Sequence, residues 1–323
     1  MRKKFLVAGC LVGLLMIGSS AVKSQQKIVI LPFGNFDNWV VREINESAVI
    51  GGNTRYIYEI AKGDTLRDNT PYKNMAGSPW ATSNVLAKVS GVIKSSATVF
   101  PEKRGDGQCA RLDTRLEDVK VLGIINISVL ASGSIFLGQM DEPIKDTKNP
   151  NSKLMMGIPF TRRPTAMVMD YKLKASPDNT RIKATGFSSR KEIPGRDYAS
   201  VIVLLQKRWE DENGDVYAKR VGTAVERLGD NTPEWVNGYQ IPILYGNITT
   251  LPAFKPYMNL LPPENSYYCK NSNGKIVPVV ETGWGDTGDE PTHIILMISS
   301  SYDSAYQGTI GNSIMVDNVG LVY

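Results

Sequence analysis

A single histidine among 323 residues limits the chemistry this chain can perform. Any Ser-His-Asp or Cys-His nucleophilic site would have to use His293. That residue heads an apolar run, and no Gly-x-Ser-x-Gly turn accompanies it. A structural or surface role is the expectation. A histidine-clustered catalytic metal site is excluded by count. The cysteines show no Cys-x-x-Cys or Cys-His spacing, which argues against a structural zinc site. Carboxylate chemistry survives these exclusions, because glycoside hydrolysis needs only a pair of Asp or Glu side chains, about 5 Å apart in retaining enzymes and farther apart in inverting ones. Glu43, Glu46, Asp170, Asp286, Asp289 and Glu290 are candidates. Nothing in their spacing marks two that face each other across a cleft. Solvated loop or edge charges, which discourage sheet-to-sheet aggregation, are the plainer reading.

The aromatic residues are more informative. Sugar rings present C–H faces that stack on flat aromatic rings, and their hydroxyls pair with planar polar groups such as Asp, Asn, Arg and Glu. Trp80 lies in the loop-like Ser78-Pro79-Trp80-Ala81-Thr82-Ser83-Asn84, with Asn84 as a polar companion. Trp284 stands between Gly283 and Gly285, a setting expected at a loop tip. Trp39 and Trp235 adjoin apolar strands and read as core; Trp209 ends an apolar run beside charges and reads as an edge cap. Arg111, in a strand-like segment, could fork onto sugar hydroxyls or a uronate carboxylate; an internal salt bridge is the alternative. With Tyr171, these residues make a candidate carbohydrate-binding set of Trp80, Asn84, Arg111, Tyr171 and Trp284.

The elements that would position them are strands. Lys27–Leu31, Arg55–Ile60, Val85–Val99 and Thr165–Leu173 read as β, the last alternating in its second half. Tyr198–Leu205 is a continuous apolar run, expected of a central strand. Asp211-Glu212-Asn213-Gly214 and Asn271-Ser272-Asn273-Gly274 each sit between strand-like segments and predict hairpins, because Asn-Gly tolerates positive φ. Val119–Leu137 is apolar enough for a buried helix, but its Ile, Val, Ser and Gly content favours strands or a short irregular insert. Pro252, Pro256, Pro262 and Pro263 predict a long surface loop. No sharp domain boundary interrupts the pattern.

The first residues read as a leader: Met1-Arg2-Lys3-Lys4, an apolar Phe5–Ile17, then small residues, with cleavage expected after Ser24 and after Ala21 as the alternative. Residues 1–24 form the expected signal peptide and 25–323 a single domain. Val7-Ala8-Gly9-Cys10 competes as a lipobox, but Cys10 comes early for a lipid anchor. The leader holds Arg2, Lys3, Lys4 and Lys23, so removing it takes the net charge from +5 to +1. No nucleic-acid or anionic-membrane partner follows from that balance. The expected location is the periplasm or cell surface. There Cys109 and Cys269 could form a disulfide or remain buried thiols.

Several segments together resemble the putative carbohydrate-metabolism domain of surface and periplasmic proteins from Gram-negative gut anaerobes. They are Phe36-Asp37-Asn38-Trp39 with Glu46–Gly52; Pro79–Asn84; Ala110-Arg111-Leu112; Gly157–Pro164 leading to Tyr171; and Ser299–Asp317 with its Tyr306-Gln307-Gly308 and Gly311-Asn312-Ser313. The resemblance spans about residues 33–323. It implies an antiparallel jelly-roll β-sandwich related to carbohydrate-binding modules, and Val316–Leu321 is similar to the last strand of such folds. Those modules often hold a structural calcium near the final strand, for which Asp317, Asp286 and Asp289, with Glu46 and Glu290, offer oxygen ligands; the simpler reading has Asp317 bonding loop amides. The implied function is non-catalytic binding of a polysaccharide or oligosaccharide, beside other outer-membrane uptake proteins. A glycoside hydrolase or polysaccharide lyase on the same fold is the alternative. A structural or adhesive surface protein is the third, and would show a large exposed apolar patch.

Overall fold

The computed structural model describes residues 26–323, apart from 122–124, 147, 187–189 and 303–304. The expected leader and Cys10 lie outside the described residues. Strands and short 3-10 turns make up the regular structure of the described residues. The ambiguous Val119–Leu137 stretch runs through three successive strands, Gly107–Val121, Ile125–Ser132 and Ser134–Met140, as its β-branched content suggests. No helix among the described residues is long and apolar enough to cross a membrane.

Two layers pack face to face. The first is an open eight-stranded sheet, in the order Thr185–Gly186, Ile125–Ser132, Gly107–Val121, Ser313–Val322, Ala166–Lys174 and Val236–Pro242, with Ile28–Ile30 and Val99–Arg104 as side additions. The second layer departs from the expected jelly roll. Seven of its strands close into a ring: β1 (Ser134–Met140), β2 (Leu154–Met156), β3 (Ala199–Glu210), β4 (Val216–Leu228), β5 (Tyr268–Lys270), β6 (Ile276–Trp284) and β7 (His293–Ser299). The order around the ring is β1-β7-β3-β4-β6-β5-β2, returning to β1. The β4–β6 and β2–β5 contacts are parallel, which an all-antiparallel jelly roll would not contain. Closure removes the free edges that a second open sheet would have to protect.

The closed ring explains the continuous apolar run at β3. Val201, Val203 and Leu205 face the open sheet and join Met167, Met169, Leu173, Ile314 and Val316 in the core between layers. The alternate residue Leu204 faces the barrel interior, with Phe136, Val225 and Ile295. Both faces of the strand are therefore apolar. The proline-rich stretch follows its expected surface course, with Pro252, Pro256, Pro262 and Pro263 exposed, while a few of its apolar side chains turn inward. Tyr257, Met258 and Leu261 pack against the interior cluster, and the Leu261 amide donates to Glu281 Oε2 at 2.9 Å. Cys109 lies in the open sheet and Cys269 on β5, and both are free thiols.

The N-terminal hairpin Trp39–Asn45/Thr54–Ile60 is clasped to the segment after β1 by a buried charge cluster. The Arg42 guanidinium pairs with Glu59 at 2.8 Å and Glu142 at 2.6 Å. Burial pushes the Glu59 carboxyl up to about 8, against the pull of Arg42 and with help from Glu142.

Candidate functional site at the barrel mouth

One end of the barrel is bounded by the two hairpins that the Asn-Gly pairs predict. Gly214 and Gly274 both adopt left-handed backbone, at φ +83° and +74°. The tips are locked together. Asn271 Nδ2 donates to the Gly214 carbonyl at 2.9 Å, and Ser272 donates its amide (2.9 Å) and hydroxyl (2.6 Å) to the two oxygens of Glu210. Beside them, lined in part by the flanking strand residues Glu210, Val216 and Lys270, lies a cavity of ≈ 650 Å³, within the usual range for a small-molecule site.

Strand register decides which side chains enter it. Gln206 lies opposite both Arg220 and His293, and Arg208 lies opposite Ala218. Residues opposite each other, and residues two apart on one strand, share a face. Gln206, Arg208, Arg220 and His293 therefore all point into the barrel. Arg208 and His293 line the cavity, together with Met156, Cys269, Trp209 and Lys270.

Arg208 is half-buried. Its Nε donates to Gln206 Oε1 at 2.9 Å and its Nη2 to the Met156 carbonyl at 3.1 Å. Unlike the barrel's other inward arginine, it forms no ion pair with a carboxylate. Burial lowers its pKa to about 10, with Cys269 and Glu281 opposing, so it remains charged at neutral pH. Gly157 makes the space for it: at φ +96°, a Cβ there would lie 2.5 Å from Arg208 Nη2. His293 is held down to about 4, first by burial and then by the charge of Arg208. Its Nδ1 lies 2.9 Å from Thr292 Oγ1. At neutral pH the imidazole is uncharged. Burial raises the Cys269 thiol, although Arg208 favours the thiolate.

Deeper in the barrel the chemistry reverses. Arg220 forks onto Glu281, its Nε 2.6 Å from Oε1 and its Nη2 bonded to Oε2. Gln206 Nε2 donates to the same Oε1 at 2.8 Å. Both charged side chains are almost wholly out of solvent. At the rim, Trp209 stacks on Tyr217 across the β3–β4 hairpin, with ring centres 5.9 Å apart and planes 26° from parallel. Trp209 keeps 42% of its surface exposed; alternating with Arg208, its ring stands on the outer face of the barrel wall, next to the other residues that line the cavity.

The residues proposed from sequence do not gather at one place. Trp80 is fully buried, edge-on to Phe36, and its indole N–H donates to the Pro32 carbonyl at 2.8 Å. Asn84 is also fully buried; its Nδ2 bonds the Tyr58 and Val99 carbonyls, and its Oδ1 accepts from the Thr98 and Val99 amides. Tyr171 packs in the core between layers, against Tyr239. Arg111 alternates with the buried Ala110 and Leu112 and points away from that core, pairing with Glu102 and Asp113. Trp284 is half-buried at the end of β6, its ring centre 5.8 Å from the Arg220 guanidinium. Asp317 and Asp289, two of the positions considered for calcium, are held by cations of the protein itself. Arg104 Nη1 bridges Asp170 (2.9 Å) and Asp317 (2.6 Å), and Lys207 pairs with Asp289 at 2.7 Å. Among the described residues, no group of three or more His, Cys, Asp or Glu is arranged to hold a metal. Glu46 accepts from Lys94 and Ser95 and fastens the small Val85–Val89/Val92–Ser96 hairpin.

Residues 36–246, well over half of the chain, match the family model described as "Putative carbohydrate metabolism domain". The chain belongs to that family. A crystal structure of a putative glycoside hydrolase from Bacteroides thetaiotaomicron is similar at a TM-score of 0.46 and 18% identity, over 88% of this chain and 70% of that one. No curated protein matches. The family match includes Gly157, Arg208 and Trp209, whereas Cys269, Lys270 and His293 lie beyond it. The mouth is thus assembled from the matched domain and the strands that follow.

Sequence reasoning passed over Arg208 and placed Trp209 at an edge. A signal was present: the Gly157–Pro164 segment, singled out for the resemblance, begins with the glycine that accommodates Arg208.

Proposed function

We propose that this protein binds glycans at the barrel mouth without cleaving them. The observation that carries this reading is the exposed, stacked Trp209 beside a cavity lined by polar groups on a closed barrel. An aromatic platform offers the apolar face that a sugar ring needs, and Arg208, His293 and Lys270 offer hydrogen-bonding groups. Membership of a carbohydrate-metabolism family supports a sugar ligand.

Hydrolysis is the competing reading. Among the lining residues Glu210 is the one carboxylate, and Ser272 engages both its oxygens. The carboxylates that come closest to an acid–base pair lie elsewhere, on the open sheet. Asp170 and Asp317 are cross-strand neighbours. Burial raises Asp317, whereas bonds from Asn318, Gly238 and Arg104 outweigh burial and lower Asp170. Such separation is what a catalytic pair requires, but Arg104 bridges both and stacks 3.9 Å from the Trp235 ring centre. A clasp between strands accounts for this arrangement.

The deciding experiment captures polysaccharides on immobilised protein and compares wild type with Trp209→Ala. The binding reading expects retention of intact glycan by wild type and loss in the variant. Release of shortened products that stops in Asp170→Asn or Asp317→Asn would establish the hydrolase instead. Because residues 1–24 read as a leader, we also place the protein in the periplasm or at the cell surface. N-terminal sequencing of the mature chain should begin at Gln25; an uncleaved Met1 would refute export by this leader.

A further inference from the structure

Resting on that reading, we propose that the glycan is acidic, and that Arg208 receives the carboxylate of a uronic acid residue inside the barrel mouth.

The argument starts from charge compensation. A guanidinium withdrawn from water is costly unless an anion accompanies it. The two fully buried arginines obey that rule: Arg42 carries Glu59 and Glu142, and Arg220 carries Glu281; the half-buried Arg104 likewise carries Asp170 and Asp317. Arg208 has only two neutral acceptors, Gln206 Oε1 and the Met156 carbonyl. These occupy Nε and Nη2, and Nη1 bonds to no group of the described protein. The anion that would complete the pattern has to come from outside, through the cavity that Arg208 lines.

The surroundings favour that arrival. Glu210 is turned to Ser272, and Lys270 adds a second cation to the lining. His293 is uncharged at neutral pH, so it presents a hydrogen-bonding group without repelling or attracting the anion by charge. The planar guanidinium suits a planar carboxylate better than a point cation would. The attached sugar accounts for the remainder of the cavity, and Trp209 stands at the rim for a neighbouring ring.

The test uses the full mature protein and three acidic polysaccharides, polygalacturonate, alginate and hyaluronan, each beside its carboxyl-reduced form. Wild type should bind at least one acidic form about 10- to 100-fold tighter than its reduced counterpart, as expected for a charge-assisted hydrogen bond. Arg208→Gln should erase that preference, so that acidic and reduced forms bind alike, and Arg208→Lys should restore only part of it. The wild-type comparison needs no variant, so poor folding of Arg208→Gln would not shield the proposal. Equal binding of acidic and reduced forms, abolished by Trp209→Ala, would overturn the acidic preference and leave the glycan-binding reading standing. Binding neither to any of the six nor to dextran sulfate would overturn both. Binding of dextran sulfate alone would replace the carboxylate by a sulfate and also overturn the inference.

Discussion

Arg220 and Arg208 point into the same barrel, but only one of them is neutralised. Arg220 is enclosed by Glu281 and Gln206, with all partners supplied by the fold. Arg208, nearer the mouth, meets neutral acceptors and open space. Their difference separates a structural charge from an available one. A buried ion pair holds strands in register, and losing one partner leaves an uncompensated charge in a low-dielectric interior. A half-buried arginine without an anion has already borne its desolvation, and a ligand that brings the anion gains from it.

Mutations can break this contrast. The largest expected effect is at depth: Glu281→Ala should destabilise by ~3–5 kcal/mol, the usual consequence of orphaning a buried charge. Its denaturation midpoint is the measurement; a midpoint like that of wild type would mean that water or another group compensates Arg220. Arg208→Met should change stability by less than about 1 kcal/mol, because no carboxylate is left behind. If Arg208→Met unfolds the protein as Glu281→Ala does, the mouth arginine is structural after all.

The tryptophans sharpen the same comparison. Trp80→Ala removes a fully buried indole and its bond to Pro32, so it should cost ~3–5 kcal/mol of stability. Trp209→Ala should leave the thermal midpoint within a few degrees and weaken glycan binding by ~1–3 kcal/mol, read by isothermal titration. Opposite results would return the binding surface to Trp80.

Stability should also depend on pH. Glu59 is near 4.5 when unfolded and about 8 in the fold. Between those values the folded state holds a proton that the unfolded state has released. Stability from this group is therefore complete below about pH 4.5 and is lost as pH rises through 8. Glu59→Gln should flatten the decline of the denaturation midpoint between pH 5 and 9. An unchanged slope would mean that Arg42 keeps Glu59 ionised throughout.

Much of the local structure was legible. The Asn213-Gly214 and Asn273-Gly274 turns followed from the backbone demands of tight hairpins, and the strand ends beside them, at Glu210, Val216 and Lys270, line the site. The strands across Val119–Leu137 followed from β-branched content. Burial of Trp80 was not legible, because the loop-like Ser78–Asn84 segment becomes a short strand paired with β1. Trp209 looked peripheral because its value as a platform depends on Tyr217 across the hairpin.

By itself, the sequence determined an all-β chain, its family, its tightest turns and the chemistries that one histidine excludes. These depend on residue types, short-range spacing and the order of short motifs. The tertiary structure alone decided that β1 pairs with β7, so that the second layer closes into a barrel. It also decided which arginine meets a carboxylate. Both outcomes join residues far apart in the chain, and no local periodicity records whether Arg208 or Arg220 will find Glu281 beside it.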